Sequence, residues 1–371
     1  VVQNNHHYRI SPFEKTFDFA NALNYIPSDY LHEFNRLQNV DKIEISHHLA
    51  HAYSAIPFTD FDDSLVVVMD GMGDLFSSMV DIDESGTFDH DLGLKTERTI
   101  WLPKEMKTWK GYREAETVYL SRSREVKELI LKRWTAENSP SELYNHGFEN
   151  MDSLGAVYSR IASHIFGDWN ACGKVMGLAS WKGRWNVQGE EESEDEFVYF
   201  GGNLIDGKLE INRKELNSLK NSNEWKNVEI RGQYVKDAAK VQENLETTVL
   251  DMISGLKEMT NAENLILVGG VALNSTLNGR IVSESGFKKV YIPPHPGDEG
   301  IAIGCAMYGW NYLNKRNDSK SEKAKKSKKS VFSPYQGKEY SGEEIDEAIE
   351  EYKAWIDLKY CEKDEDLYVN V

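Results

Sequence analysis

Leu65-Val66-Val67-Val68-Met69-Asp70-Gly71-Met72-Gly73-Asp74 is the stretch on which the fold turns. Its first half is a continuous apolar, valine-rich run, the pattern of a strand buried on both faces. Its second half is a turn in which glycines let the backbone bend sharply. Phe76–Asp81 reads as the returning strand, with Glu84-Ser85-Gly86 as a further turn, which predicts a β-hairpin with a glycine-rich bend. Upstream, an apolar pair at Val1–Val2 reads as the end of a strand, residues 17–37 as helical, Lys42–Ile45 as a strand, and the histidine cluster after it as the start of a helix. Downstream, DSLGAVYSRIASHIF from Asp152 reads as a helix leading to a loop, Gly173-Lys174-Val175-Met176-Gly177. A long helix over 235–259 then precedes strand 265–268, Gly269-Gly270, a helix from Asn274 and strand 290–292. Strand, glycine turn and helix in repeated order predict an α/β fold with a largely parallel sheet and a ligand crevice at the strands' carboxyl ends.

Between these elements, residues 184–235 are polar and aperiodic, carry the acidic run Glu190–Glu196, and read as a peripheral insertion. Residues 315–330, KRNDSKSEKAKKSKKS, have no apolar face and predict a basic flexible linker; an RNA- or membrane-touching patch is the other use of such a run. Ser341 then precedes an amphipathic stretch, the signature of a capped helix, and 331–371 reads as the start of a domain whose body is absent. Because the chain opens on Val1, on what looks like the end of a buried strand, it is read as a fragment.

With 371 residues, 40% of them hydrophobic, the chain can bury one large core or two lobes. A net charge of −18 and a pI near 5.1 argue against coating nucleic acid or an anionic membrane. Three scattered cysteines, Cys172, Cys305 and Cys361, form no disulfide framework, so a reducing cytoplasm is expected. No apolar run is long enough to span a bilayer.

The sharpest local signal is Ser46-His47-His48-Leu49-Ala50-His51-Ala52. His47 and His51 stand at i and i+4, so on a helix their imidazoles share one face and can bind one cation, while His48 points elsewhere. Imidazole suits zinc, iron, copper or nickel alike. Asp298, in Pro296-Gly297-Asp298-Glu299-Gly300, sits at a strand-to-helix junction where a carboxylate reaches the crevice; it is either the third ligand or the cap of the helix that follows. Two histidines and a carboxylate leave coordination positions open for substrate or water. The Asp70-to-Asp74 turn can admit a phosphate or a cation, or can be a plain turn. Lys174, beside Gly173 and Gly177, offers a point charge to a phosphate but lies in no Walker A loop. Gly269-Gly270-Val271-Ala272-Leu273-Asn274 can admit a purine and ribose against bare backbone, or can serve tight strand–helix packing.

Taken in order, HHLAHA, DGMGD, the helix from Asp152, GKVMGLA, a helix with Gln242 and Glu246, GGVALN and GDEGIAIG, the sequence resembles the amino-terminal domain of the nodulation-factor and antibiotic O-carbamoyltransferases. That domain is similar to the tRNA threonylcarbamoyl-transfer and hydrogenase-maturation carbamoyltransferase domains, of the actin-like, ribonuclease H-like superfold. The resemblance is strong over about 45–310 and extends through SPYQGKEYSGEEID. It implies a two-lobed actin-like ATPase fold whose first lobe lacks its opening strands. Residues 1–314 would be the metal- and nucleotide-binding domain, 315–330 the linker, and 331–371 the start of a truncated carbamoyl-adenylate-forming domain. His47, His51 and Asp298 would bind iron or a similar divalent metal and act in catalysis. Asp70, Gly71, Gly73, Asp152, Gly177 and Asn274, with Lys174, Gly269 and Gly270 from the glycine patterns, would line the site for ATP, its Mg2+ or carbamoyl adenylate. The implied activity is ATP-dependent transfer of a carbamoyl group from carbamoyl phosphate, through carbamoyl adenylate, to a hydroxyl of a sugar, antibiotic or nodulation-factor type acceptor. This chain would hold the second step and would not form the adenylate alone. A small-molecule kinase or ATPase, and a non-catalytic nucleotide-binding module, are the rivals on the same superfold. An open sheet edge near Val1–Val2 leaves a homodimer open.

Overall fold

The computed structural model describes residues 2–4, 43–74, 100–101, 112–136, 151–183, 198–206, 208–219, 231–318 and 337–356. It divides into two compact units, Val1–Ser330 and Val331–Val371. The first unit opens with β1 (Val2–Gln3), β2 (Ile43–Glu44), α1 (His47–Ala55), β3 (Asp63–Met69) and β4 (Ile100–Trp101). It continues with β5 (Tyr112–Arg122), β6 (Glu125–Ala136), α2 (Leu154–Phe166), α3 (Cys172–Ala179), β7 (Phe200–Gly201), β8 (Glu210–Ile211) and α4 (Arg213–Ser218). It closes with α5 (Arg231–Thr260), β9 (Asn264–Val268), α6 (Ser275–Glu284), β10 (Lys289–Tyr291) and α7 (Ile301–Asp318). The expected helix over 17–37 and the returning strand over 76–81 lie outside the described residues.

The central sheet has the order β10-β9-β3-β5-β6-β4. β10, β9 and β3 are parallel, whereas β3 to β5 and β5 to β6 are antiparallel. The sheet is therefore mixed, which corrects the expectation of a largely parallel one. What went unread is the long β5–β6 hairpin, which lies beside β3. It reverses at Ser123 and Arg124, with φ of 52° and 63°, a pair of left-handed residues without the usual glycine or asparagine.

Strict alternation along the buried strands divides the core in two. Leu65, Val67 and Met69 join Val118, Leu154, Val157 and Ile161 on one face, packed against α2, α3 and α5. Val66 and Val68 join Leu49, Ala52, Tyr53 and Tyr119 on the other, under α1 and α7. Burying each such aliphatic side chain contributes about 1.5–3 kcal/mol, which makes β3 the common floor of both layers. α7 approaches α1 so closely that a Cβ at Gly304 would lie 1.8 Å from the Ala50 carbonyl oxygen.

Three further expectations change. Residues 173–177 form the body of α3 and are no loop: Val175 and Leu178 are buried at helical spacing against the core, which outweighs the two glycines. Within the stretch taken as a peripheral insertion, Tyr199, Phe200, Leu204 and Leu216 are core residues, and α5 begins at Arg231. α7 runs through Asp318, into the stretch read as linker; residues 319–330 lie outside the described residues. In the second unit, α8 (Gly342–Tyr352) starts as the sequence predicts, with Ser341 and Glu344 closing a capping box. Among the described residues no helix is long and apolar enough to cross a membrane.

Candidate metal centre

The helix α1 is fixed before its histidines can be aimed. Its first turn leaves amides without intrahelical partners, and three side chains accept from them. Asp74 Oδ2 takes the His47 amide at 2.9 Å, Glu114 Oε2 the His48 amide at 3.4 Å, and Ser46 Oγ the Leu49 amide at 3.1 Å. All nine residues of α1 are buried. The i, i+4 spacing then brings His47 Nε2 to 3.1 Å from His51 Nε2, with the rings edge to face.

Two carboxylates close on this pair. Asp70 Oδ2, at the end of β3, lies 2.9 Å from His47 Nε2 and 3.6 Å from His51 Nε2. Asp298 Oδ1 lies 3.3 Å and 3.5 Å from the same two atoms. One donor atom from each of the four falls within 4.8 Å of all the others. Asp298 remains 68% exposed while the other three are buried, so the cluster opens toward its side. The turn at Asp298–Gly300 has Gly297 at its cap and no side-chain capping bond. Asp298 is thus turned toward the imidazoles and does not cap α7.

The other oxygen of Asp70 is tied down by the Gly270 amide at 3.2 Å. Gly269 makes that approach feasible: its φ is 92°, and a Cβ there would lie 2.2 Å from the Met69 carbonyl oxygen. Burial alone would strip the proton from His47, but the Asp298 and Asp70 carboxylates outweigh it and hold its pKa well above the usual value. Burial likewise opposes ionisation of Asp70 and Asp298, and hydrogen bonds from the two histidines drive both carboxyls below their usual range. His48 faces away, with Nδ1 2.7 Å from Thr117 Oγ1, and burial pushes its pKa down to about 3.

These four side chains fit a divalent transition metal. Two imidazole nitrogens facing each other across 3.1 Å, with a carboxylate oxygen against both, cannot all be satisfied by one proton. A cation satisfies all four, and the nitrogen–oxygen donor set suits iron or zinc better than calcium or magnesium.

The residues read toward a nucleotide lie on the same turn and around α2, α3 and α6. The Gly71 carbonyl accepts from Ser153 Oγ, and a Cβ at Gly155 would sit 2.8 Å from Asp70 and Gly71 backbone atoms, so α2 starts flush against the turn. Gly73 is packed inward, where a Cβ would lie 2.6 Å from Glu114 Cβ. Asp152 pairs with Arg213. Lys174 reaches over the Phe166 ring at 5.8 Å, and Gly173 and Gly177 have nothing within 4 Å of where a Cβ would stand. Asn274 caps α6 through Leu277 N and exchanges hydrogen bonds with Gln242, which also bonds Tyr158 and Glu246.

Residues 15–307 match the family model described as "Carbamoyltransferase N-terminus". The chain belongs to the carbamoyltransferase family. Among relatives, this carbamoyltransferase chain is 27% identical to nodulation protein NolNO of Sinorhizobium fredii over 275 residues, which is 73% of this chain and 32% of that protein. It is 24% identical to nodulation protein NolO of Bradyrhizobium diazoefficiens, over 71% of this chain and 38% of the other. An uncharacterised protein of Methanocaldococcus jannaschii is 24% identical over 87% of this chain and 49% of its own length. The chain thus spans from about a third to a half of the length of these curated relatives. Full-length HypF, solved in a phosphate- and nucleotide-bound form, aligns with a TM-score of 0.40 at 15% identity, over 76% of this chain and 45% of HypF.

Within the carbamoyltransferase chain, the structure brings His47, His51 and Asp298 together and adds Asp70, which the sequence had placed on the nucleotide side. A carboxylate at a strand's end beside glycine suits either task, and only its distance from His47 separates the two. Glu114, Lys132, Glu116 and Arg133 were not read at all. Their one signal was charge within β-forming segments, two apart at Glu114 and Glu116 and consecutive at Lys132 and Arg133, with no motif around it.

Proposed function

We propose that this chain is the metal- and nucleotide-binding part of an ATP-dependent O-carbamoyltransferase, on an actin-like fold. The observation that carries the proposal is the convergence of His47, His51, Asp70 and Asp298 at the carboxyl end of β3 in a chain of this family. Parallel strands β9 and β3, each ending in a glycine turn, support the actin-like assignment. Residues 1–314 form the proposed catalytic domain and 331–371 belong to the adenylate-forming one.

The four donors would hold iron, or a similar divalent metal, which when bound supplies Lewis acidity toward a carbonyl or phosphate oxygen. The chain's own groups do the rest. Asp70, anchored by the Gly270 amide, keeps one oxygen on the histidines and the other on the glycine turn. Gly71, Gly269, Gly270, Asp152 and Asn274 would border the nucleotide, with Lys174, Gly177 and Mg2+ toward its phosphates, and Gly73 acts as a packing residue of the turn. In the transfer, the acceptor hydroxyl oxygen bonds to the carbamoyl carbon, the bond from that carbon to the adenylate oxygen breaks, AMP leaves with the electron pair, and the hydroxyl proton is released. Carbamoyl phosphate and ATP supply the adenylate; the acceptor is a small-molecule alcohol, and the setting is the cytoplasm.

The test is mass spectrometry of full-length protein incubated with ATP, carbamoyl phosphate and a panel of sugar and polyketide alcohols. A carbamate on an acceptor hydroxyl, with AMP formed, is expected. Phosphorylated acceptor and ADP would favour a kinase, and nucleotide binding without turnover a non-catalytic module.

A further inference from the structure

Glu114 and Glu116 stand two apart on β5, and in a regular strand both would lie on one face of the sheet. A β-bulge prevents this. Glu114 pairs with Trp134 and Glu116 with the adjacent Arg133, which leaves Ala115 without a partner on β6. One extra residue reverses the alternation beyond it. Glu114 consequently meets the α1 layer, where Oε2 accepts from Asp74 N at 3.0 Å and His48 N at 3.4 Å, and Oε1 lies 2.6 Å from Lys132 Nζ. Glu116 meets the α2 layer, where Oε1 accepts from Leu154 N at 2.8 Å and Oε2 takes Arg133 Nε at 2.6 Å. Lys132 and Arg133 are consecutive on β6, so ordinary alternation sends one to each side.

All four side chains are buried. Ion pairs removed from water contribute little net stability compared with apolar packing, so their energetics alone give no reason for two of them here. What they contact does. Each carboxylate accepts from an amide at the start of a helix, and both helices abut the Asp70–Asp74 turn from opposite sides. Arg133 also donates to the Asp152 carbonyl, which adds a second tie at the start of α2.

We propose that the bulged hairpin is a two-sided positioning device. Glu114, neutralised by Lys132, sets the helix that carries His47 and His51. Glu116, neutralised by Arg133, sets the start of α2 beside Gly71 and Asp152. The metal side and the nucleotide side are therefore tuned by different residues of the same strand pair. This rests on the proposed function for what the two sides bind, and goes beyond it in assigning what aims them.

The experiment compares three double variants of this chain with wild type, by Co2+ titration, ATP titration and site-resolved amide exchange. Glu114→Gln with Lys132→Met removes both charges and keeps an acceptor oxygen; it retains Co2+ affinity within about threefold and protection of the His48 and Asp74 amides. Glu114→Leu with Lys132→Met removes the acceptor too; it weakens Co2+ by about tenfold or more, the size of effect that outer-sphere ligand supports have, and speeds exchange at those amides. ATP affinity stays at the wild-type level in both. Glu116→Leu with Arg133→Met does the reverse: ATP binding weakens, the Leu154 amide exchanges faster, and Co2+ binding is unchanged. Wild-type Co2+ affinity in a folded Glu114→Leu pair, or equal losses of Co2+ and ATP in both leucine pairs, overturns the proposal. Should the leucine pair not fold, the glutamine pair decides: a tenfold loss of Co2+ with the His48 and Asp74 amides still protected contradicts it. If wild type itself binds no Co2+, the metal centre fails, while the amide exchange still judges the positioning device on its own.

Discussion

Helices α1 and α3 both carry a motif that drew attention in the sequence, and they are built in opposite ways. α1 is buried along its whole length, held at its start by Asp74, Glu114 and Ser46, and crossed by α7 at a glycine. α3 has Ala171 at its cap with no side-chain bond, buries only Val175 and Leu178, and presents Gly173 and Gly177 to open space. α1 is thus over-determined by its neighbours, as its proposed metal-holding role requires, whereas α3 is left bare on the side proposed to meet a nucleotide.

The comparison breaks most visibly at Glu114. Glu114→Ala removes the carboxylate beside the buried Lys132 ammonium and the acceptor of two amides, so a loss of about 3–5 kcal/mol is expected from chemical denaturation; a loss under about 1 kcal/mol would mean that α1 is not held from β5. Gly304→Ala comes next. Its Cβ would meet the Ala50 carbonyl, and overpacking of this kind costs about 1–3 kcal/mol or more, read as a lowered melting temperature. Asp298→Asn follows, with metal affinity reduced about tenfold or more and stability lowered far less than in Glu114→Ala, because Asp298 is largely exposed and caps nothing, so that only its pairing with the two histidines is lost. Equal metal content with a lowered melting temperature would return Asp298 to a purely structural role. The smallest effect belongs to α3. Gly177→Ala should stabilise by about 0.4–1 kcal/mol, since the helix gains a better residue and the new methyl meets nothing. Weaker ATP binding in the same variant would sharpen the contrast by showing that the bare face is used.

Legibility in the sequence followed how local the cause was. Val66–Val68 announced a two-faced strand, Gly269-Gly270 a close approach after another, Ser341 a capped helix, and His47 with His51 a shared face, because each depends on residues a few positions apart. Asp298 was legible as a carboxylate at a strand-to-helix junction, but not as free of the cap it seemed placed to make. The β5–β6 hairpin was illegible for physical reasons: three irregularities interrupt its register, its turn lacks glycine, and its buried end carries Glu114, Glu116, Lys132 and Arg133, charges that no local sequence pattern marks as buried. Asp70 was seen and given to the nucleotide, since no spacing rule ties a residue at the end of β3 to histidines on the preceding helix.

The central claim is that His47, His51, Asp70 and Asp298 form one metal centre. Titration of this chain with Co2+, followed by visible absorption and by metal content after dialysis, tests it most directly. One equivalent per chain with an imidazole–carboxylate spectrum is expected, lost in His47→Ala and in His51→Ala and kept in His48→Ala. Metal retained by the first two variants and lost from the third, or no metal bound by folded wild type, would contradict it.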